Sequence, residues 1–96
     1  FAKVPLLTDL SHYLDQDCVP GGSGRNFASY GHKLGQLSEA QLNILCDPQT
    51  SGGLLVAVAP DQLAQAEQIC LQAGQACYWV GELKAKADTQ AWVEVL

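Results

Sequence analysis

The sequence has few basic residues, and they are dispersed along the chain. Lysine and arginine number 5 among 96 residues against 10 aspartates and glutamates, which gives a formal net charge of −5 at pH 7 and an isoelectric point near 4.6. No basic stripe is present that could neutralise a nucleic-acid backbone or an anionic bilayer. This composition argues against a nucleic acid or a membrane as partner.

Long hydrophobic runs are also missing. No run approaches the ~20 apolar residues that a membrane-spanning helix needs, and no signal-peptide pattern is present. Because the chain begins at Phe1 without methionine, we expect a processed or truncated polypeptide. Charged residues make up 16% of the chain, below the usual quarter or so. A chain of 10.2 kDa is one domain or part of one. A surface so poor in charge suggests that another element normally covers part of it.

Paired cysteine motifs are absent as well. The sequence has no Cys-x-x-Cys, and its two histidines, His12 and His32, are not spaced with the cysteines as zinc ligands. We therefore expect no metal site and four reduced thiols in a cytosolic protein. The cysteines are Cys18, Cys46, Cys70 and Cys77.

The most informative segment that is present is the 47–55 loop, Asp-Pro-Gln-Thr-Ser-Gly-Gly-Leu-Leu. Pro48 closes off the preceding helix, and Gly52 and Gly53 allow positive φ and let another group approach the backbone closely. The apolar run 54–59 then predicts a buried strand. Hydroxyls and free N–H groups at the mouth of a buried strand suit a phosphate or another anion. The alternative is an ordinary Gly-Gly turn.

A second polar segment, 19–36, holds five of the nine glycines. This density predicts irregular backbone that makes contacts through its main chain. The planar fork of Arg25 suits phosphate, although a surface ion pair is the alternative. Asn26 could contact a ligand or simply stabilise a turn. The segment follows neither the dinucleotide fingerprint nor the Gly-Lys-Ser/Thr phosphate loop.

The remaining pattern predicts alternating helices and strands. We expect an amphipathic helix at 5–16, a helix at 39–46 that buries Leu42, Leu45 and Cys46, and a third from Pro60 that Gly74 ends. Ser38 and Gln41 form a capping box at the second of these. Strands are expected at 54–59, 76–83 and 91–96, the last two as a hairpin connected by 84–90. The predicted fold class is α+β, an α/β sandwich with helices packed on a mixed sheet and with Trp79 and Trp92 in core or interface positions.

Two blocks resemble one enzyme family. The 47–55 loop resembles the signature of the selenophosphate synthetase (selenide, water dikinase) family. The block from Pro20 to Asn26, followed by Tyr30-Gly31-His32, resembles the Pro-Gly-Gly-Thr-x-Arg-Asn element that precedes the signature, with Ser23 in place of the usual threonine. The resemblance covers essentially the whole chain. It implies an incomplete C-terminal domain of the aminoimidazole ribonucleotide synthetase type, spanning 1–96, without the N-terminal ATP-binding domain.

The resemblance also implies a chemistry. The family uses ATP, Mg2+ and selenide to make selenophosphate, and releases AMP and phosphate. Its reactive Cys or Sec, catalytic Lys and metal-binding Asp residues belong to the N-terminal part and have no counterpart here. We therefore expect no catalytic residue, no tightly bound cofactor and no activity in this chain alone. The expected partners are the N-terminal domain of the same cytoplasmic enzyme and a second copy in a homodimer.

Within this chain, the resemblance points to one wall of a phosphate or nucleotide pocket. The expected wall residues are Asn26, Thr50, Ser51, Gly52 and Gly53, and the secondary candidates are Arg25, Asp47 and Gln49. Asp47 is the only carboxylate of the loop, and one carboxylate alone makes a poor Mg2+ site. Two other functions stay open: a ferredoxin-like module that binds an anion or small metabolite, and a structural piece that serves domain packing or dimerisation.

Overall fold

The computed structural model describes residues 1–86, 88 and 91–96. In these residues the chain forms four α-helices and two short 3-10 helices, and no β-strand. The α-helices are α1 (Leu10–Leu14), α2 (Gly21–Tyr30), α3 (Glu39–Leu45) and α4 (Leu63–Gln72), and the 3-10 helices span Gly31–Lys33 and Pro60–Gln62. No helix within this described part is long and apolar enough to cross a membrane.

Helices α3 and α4 confirm the predictions made from their end signals. The Ser38 hydroxyl accepts from the Gln41 N–H at 3.2 Å, and the Gln41 side chain accepts from the Ser38 N–H at 2.9 Å, which completes the capping box of α3. Before α4, Pro60 begins the 3-10 helix that leads into it. Gly74 follows α4 with φ 65°, the left-handed conformation that ends many helices.

Helix α1 is shorter than predicted. The sequence predicts a helix at 5–16, but only Leu10–Leu14 is helical. Asp9 precedes it with φ 63° and Asp17 follows it with φ 57°, and a residue in the left-handed region cannot continue a right-handed helix. Residues 5–7 consequently lie outside the helix, with Leu6 and Leu7 exposed.

The prediction for the glycine-rich segment is wrong, because residues 21–30 form α2. Each glycine costs a helix about 1 kcal/mol relative to alanine, which is why its density indicated irregular backbone. Tertiary packing overrides this cost. Among the described residues only Gly22, Ser23 and Cys46 are buried, and two of them belong to the first turn of α2.

The predicted mixed sheet is not confirmed. Segments 54–59, 76–83 and 91–96 carry no strand, and part of the expected hairpin connection (87, 89 and 90) lies outside the described residues. Within the described part, the one β-pairing is a parallel bridge between Leu34 and Val93, where the Gly35 N–H donates to the Val93 carbonyl at 2.8 Å. A strand needs a neighbour to pair with, and local sequence does not supply one.

Of the two positions predicted for Trp79 and Trp92, core or interface, the structure excludes the core. Trp79 is 59% exposed and Trp92 is 67% exposed, and lysine ammonium groups lie over both rings. Of the expected buried face of α3, Cys46 is buried, whereas Leu42 is half-buried and Leu45 is exposed. The accessible surface is 8211 Å2, whereas a folded monomer of this mass exposes about 5,300 Å2. The radius of gyration is 15.3 Å, against about 12.5 Å for a compact chain of this length.

Candidate functional site

Helix α3 fixes the position of the start of the 47–55 loop. The capping box starts α3 at Glu39, the helix ends at Leu45, and Cys46 caps it with its N–H on the Leu42 carbonyl. Cys46 is buried, and the loop begins at the next residue, half-buried Asp47. The capping box and end of α3 therefore place the start of the loop directly after the buried Cys46.

Helix α2 packs against this entrance through two contacts. The Asn26 side-chain amide donates a hydrogen bond of 2.9 Å to the Cys46 carbonyl, in a partly buried position. At Gly22 the backbone approaches Pro48 so closely that an added Cβ would lie 2.6 Å from the proline Cγ and 2.9 Å from its Cβ. Only glycine permits such an approach. The two sequence blocks are thus in direct contact.

Ser23 lies in the same buried region and has an unusual environment. Its side chain is completely buried, and its hydroxyl is the one buried side-chain polar atom in the described part of the chain without a hydrogen-bond partner. A buried polar group that forms no hydrogen bond destabilises the folded state by about 1–3 kcal/mol. The hydroxyl therefore destabilises the chain in the first turn of α2, next to Gly22.

We expect Ser23→Ala to raise the free energy of unfolding by about 1 kcal/mol, because it removes an unsatisfied hydroxyl and favours the helix. Urea unfolding measures the change. Ser29→Ala, at an exposed serine of the same helix, is the matched control for helix propensity. A Ser23→Ala variant less stable than this control would contradict the conclusion that the Ser23 hydroxyl forms no hydrogen bond.

The loop itself turns at Ser51 rather than at its glycines. Ser51 has φ 58°, whereas neither Gly52 nor Gly53 has a positive φ. Of the two predicted roles of these glycines, positive φ is therefore wrong, and close approach to the backbone applies at Gly52. Gly52 instead lies beside Gln49, whose Oε1 would be 2.7 Å from an added Cβ, and Gly53 has open space around it. The left-handed conformation costs a serine roughly 1–2 kcal/mol relative to the right-handed one.

A cavity of about 700 Å3 opens beside the loop. Its polar lining comes from the loop, and the rest comes from the segment before α1 and from Tyr78. The lining residues are Pro5, Leu6, Leu7, Asp47, Gln49, Thr50, Ser51, Gly52 and Tyr78. This volume falls within the range of small-molecule sites, roughly 300–1,000 Å3.

The cavity brings together most of the predicted loop residues but not those of α2. Thr50, Ser51 and Gly52 line it, as do the secondary candidates Asp47 and Gln49. Three predicted residues lie outside the lining. Asn26 binds the Cys46 carbonyl, Arg25 extends along its own helix with Nη1 3.8 Å from where a Cβ on Gly21 would be, and Gly53 lies beyond the cavity.

Sequence reasoning missed the other lining residues. The sequence predicts Leu6 and Leu7 within the 5–16 helix and Tyr78 within the 76–83 strand. Nothing in the sequence links these residues to the loop, since they lie about 40 positions before its start and 23 positions after its end. Only the fold brings them to one cavity.

The lining suits an anion better than a metal ion. Thr50 and Ser51 supply hydroxyl donors, and the loop adds backbone N–H groups, which are the usual partners of phosphoryl oxygens. Asp47 is the only carboxylate in the lining. The described residues contain no group of three or more His, Cys, Asp or Glu side chains that could hold a metal ion. The residues present therefore do not fit Mg2+.

Comparison with known proteins identifies close relatives. No protein-family profile matches the chain. Proteins named selenide, water dikinase match it at 53% identity in Haemophilus influenzae (strain 86-028NP; 97% of this chain, 27% of the relative) and at 50% in Aeromonas salmonicida (100% and 28%). The relative from Yersinia pseudotuberculosis is 45% identical over 100% of this chain and 28% of its own length. The chain thus spans about a quarter of the length of these curated relatives, and it belongs to the selenide, water dikinase family.

Proposed function

We propose that this chain is the C-terminal part of a selenide, water dikinase and that its 47–55 loop contacts phosphoryl oxygens of ATP. The observation that carries the proposal is the convergence of Thr50, Ser51 and Gly52 on one open cavity. The two contacts from α2, Gly22 on Pro48 and Asn26 on the Cys46 carbonyl, support it because they fix the base of the loop. A braced loop holds its donors in place before the ligand arrives, which strengthens charge stabilisation.

The proposed reaction forms selenophosphate from selenide and ATP, with release of AMP and phosphate. Phosphoryl transfer depends on positioning and on neutralising charge with cations. The lining of the cavity offers donors for positioning and no cationic side chain. In this proposal the rest of the enzyme supplies the nucleophile and the cations, so the 96-residue chain by itself is inactive.

We propose no Mg2+ site on the residues of this chain. Asp47 is the only carboxylate in the cavity lining, so we assign no metal-dependent step of the reaction to these residues. The proposed metal site lies in the remainder of the enzyme. The proposed location is the cytoplasm, as the sequence predicts.

The proposed partner is the remainder of the same polypeptide. Leu54, Leu55 and Leu83 are 92%, 87% and 88% exposed in segments that lack strand pairing, although their composition favours strands. Large exposed apolar patches mark surfaces that another element covers. We infer that segments 54–59 and 76–83 become strands of a mixed sheet when the remaining part of the enzyme packs on them. The homodimer implied by the family would form on this completed protein.

The test is nucleotide binding by the full-length enzyme that carries Thr50→Val together with Ser51→Ala. Loss of hydrogen bonds to a charged phosphoryl group, about 1.5–3 kcal/mol, should weaken ATP binding about 10- to 100-fold. Isothermal titration calorimetry measures the affinity, and Ser29→Ala is the control because Ser29 lies outside the cavity. Unchanged affinity in the double variant would make the loop structural and refute the proposal. Binding of inorganic phosphate by the 96-residue chain alone would favour an independent binding module instead.

A further inference from the structure

We propose that Lys33 and Lys86, together with Tyr30 and Trp92, form a binding site for a small phosphoryl anion, either free pyrophosphate or the diphosphate group of a nucleotide. This proposal does not depend on the proposed function of the 47–55 loop. None of these four residues lines the cavity beside that loop.

The backbone holds Lys33 and Trp92 side by side. The Lys33 carbonyl accepts hydrogen bonds from the N–H groups of Trp92 at 2.7 Å and of Val93 at 3.1 Å. The parallel bridge between Leu34 and Val93 continues this contact by one residue. Because Lys33 ends the 3-10 helix that follows α2, the C-terminal segment and the end of α2 meet at this point.

The side chains bring two ammonium groups to one indole ring. The Lys33 Nζ lies 5.3 Å from the centroid of the Trp92 ring, and the Lys86 Nζ lies 4.9 Å from it. These distances place the two ammonium groups at most about 10 Å apart. The Lys33 Nζ also lies 5.8 Å from the centroid of the Tyr30 ring. Lysine ammonium groups commonly bind phosphate, and an anion with several oxygens can contact both of these.

Neither ammonium group forms an ion pair with a described carboxylate. In the part of the chain that the structure describes, the one ion pair joins Lys84 and Glu82 at 2.9 Å. The hydrogen bond to Glu82 is the main cause that raises the pKa of Lys84, and the negative charges of Glu82 and Glu94 raise it further. Lys33 and Lys86 therefore form a local positive patch on a chain whose net charge is −5.

The two aromatic rings are accessible to a ligand. Trp92 is 67% exposed and Tyr30 is 62% exposed. The indole N–H and the phenol O–H are hydrogen-bond donors that a phosphoryl oxygen can accept from. A cation–π contact at an exposed site is weaker than a hydrogen bond between two charged groups, so an arriving anion can recruit the ammonium groups from the ring.

The charge of the patch favours a small anion over a macromolecule. Two lysines do not make the basic stripe that a nucleic acid or an anionic bilayer requires, and the net negative charge of the chain repels both. A pyrophosphoryl group concentrates several negative charges on neighbouring oxygens. It can therefore contact both ammonium groups at once, which a chloride ion cannot do.

The experiment observes two tryptophans of the full-length enzyme separately by fluorine NMR after incorporation of fluorotryptophan. The Trp92→Phe and Trp79→Phe variants assign the resonances. Trp79 is the matched control, because the Lys3 ammonium lies 5.1 Å from its ring centroid and no second described lysine does. We expect pyrophosphate, added at constant ionic strength with chloride, to shift the Trp92 resonance to saturation and to leave the Trp79 resonance in place.

Variants make the assignment specific. Lys33→Gln and Lys86→Gln should each weaken pyrophosphate binding about tenfold, because each removes a hydrogen bond between charged groups. Lys86→Arg should retain most of the binding, and Lys3→Gln should leave it unchanged. An unmoved Trp79 resonance in the Lys33→Gln and Lys86→Gln variants shows that they are folded.

A parallel titration with ADP identifies the source of the phosphoryl groups. Tighter binding of ADP would assign the diphosphate of a nucleotide, and tighter binding of pyrophosphate would assign the free anion; either result supports the site. A Trp92 resonance that shifts no more than that of Trp79, or a response unchanged by both glutamine substitutions, would overturn the proposal.

Discussion

The Gly22→Ala variant is expected to be less stable than the Gly24→Ala variant by about 1–3 kcal/mol, the usual cost of overpacking a tight contact. A methyl group at position 22 would lie 2.6 Å and 2.9 Å from two carbons of the Pro48 ring, and a proline ring cannot move aside as a flexible side chain can. At position 24, in the same helix, an added Cβ meets nothing within 4 Å. Gly24→Ala should therefore stabilise the chain by about 0.5–1 kcal/mol through helix propensity alone.

Urea unfolding of both variants separates the packing effect from the helix propensity, which the two substitutions share. The comparison also bears on function, since displacement of Pro48 moves the base of the 47–55 loop. In the full-length enzyme, Gly22→Ala should consequently weaken nucleotide binding while Gly24→Ala should not. Equal stabilisation by the two substitutions would show that α2 does not pack on the loop.

The second large effect is expected at the apolar segment 54–59, which the proposed function places against the rest of the enzyme. When the 96-residue chain and the remainder of the enzyme are produced separately and mixed, Leu55→Ala should weaken their association by at least about 2 kcal/mol, roughly thirtyfold. Leu55 is 87% exposed in the isolated chain, and it would be buried against the remainder. Calorimetric titration measures the association.

Leu71→Ala provides the matched control for this experiment. Leu71 is 79% exposed on α4, so the same substitution is made at a similarly exposed leucine outside the proposed strands. We expect it to weaken association much less. If Leu55→Ala and Leu71→Ala had the same effect, segment 54–59 would not be the docking surface.

Local sequence signals predicted the helix ends that depend on neighbouring residues alone. The capping box of Ser38 and Gln41 and the left-handed Gly74 depend only on neighbouring residues, and both are confirmed. Helix α2 was missed because its contact between Gly22 and Pro48 joins positions 26 residues apart, and propensity scales do not include such a contact. The left-handed aspartates at both ends of α1 likewise gave no clear signal in the sequence.

The expected strands and part of the site depend on distant partners. Segments 54–59 and 76–83 have the composition of strands, but strand pairing requires a neighbouring strand that these described residues do not supply. For the site, the hydroxyl-bearing loop could be recognised from its residues, and Thr50, Ser51 and Gly52 do share one cavity. The apolar lining from Leu6, Leu7 and Tyr78 could not be recognised, because it arises where separate segments meet.

The most direct measurement is an experimental structure of the full-length enzyme with a non-hydrolysable ATP analogue. A hydroxyl oxygen of Thr50 or Ser51 should lie about 2.5–3.0 Å from a phosphoryl oxygen, with Asn26 still bound to the Cys46 carbonyl. Should both hydroxyls lie beyond about 3.5 Å from every phosphoryl oxygen, with no bridging water, the loop would have no part in handling phosphate.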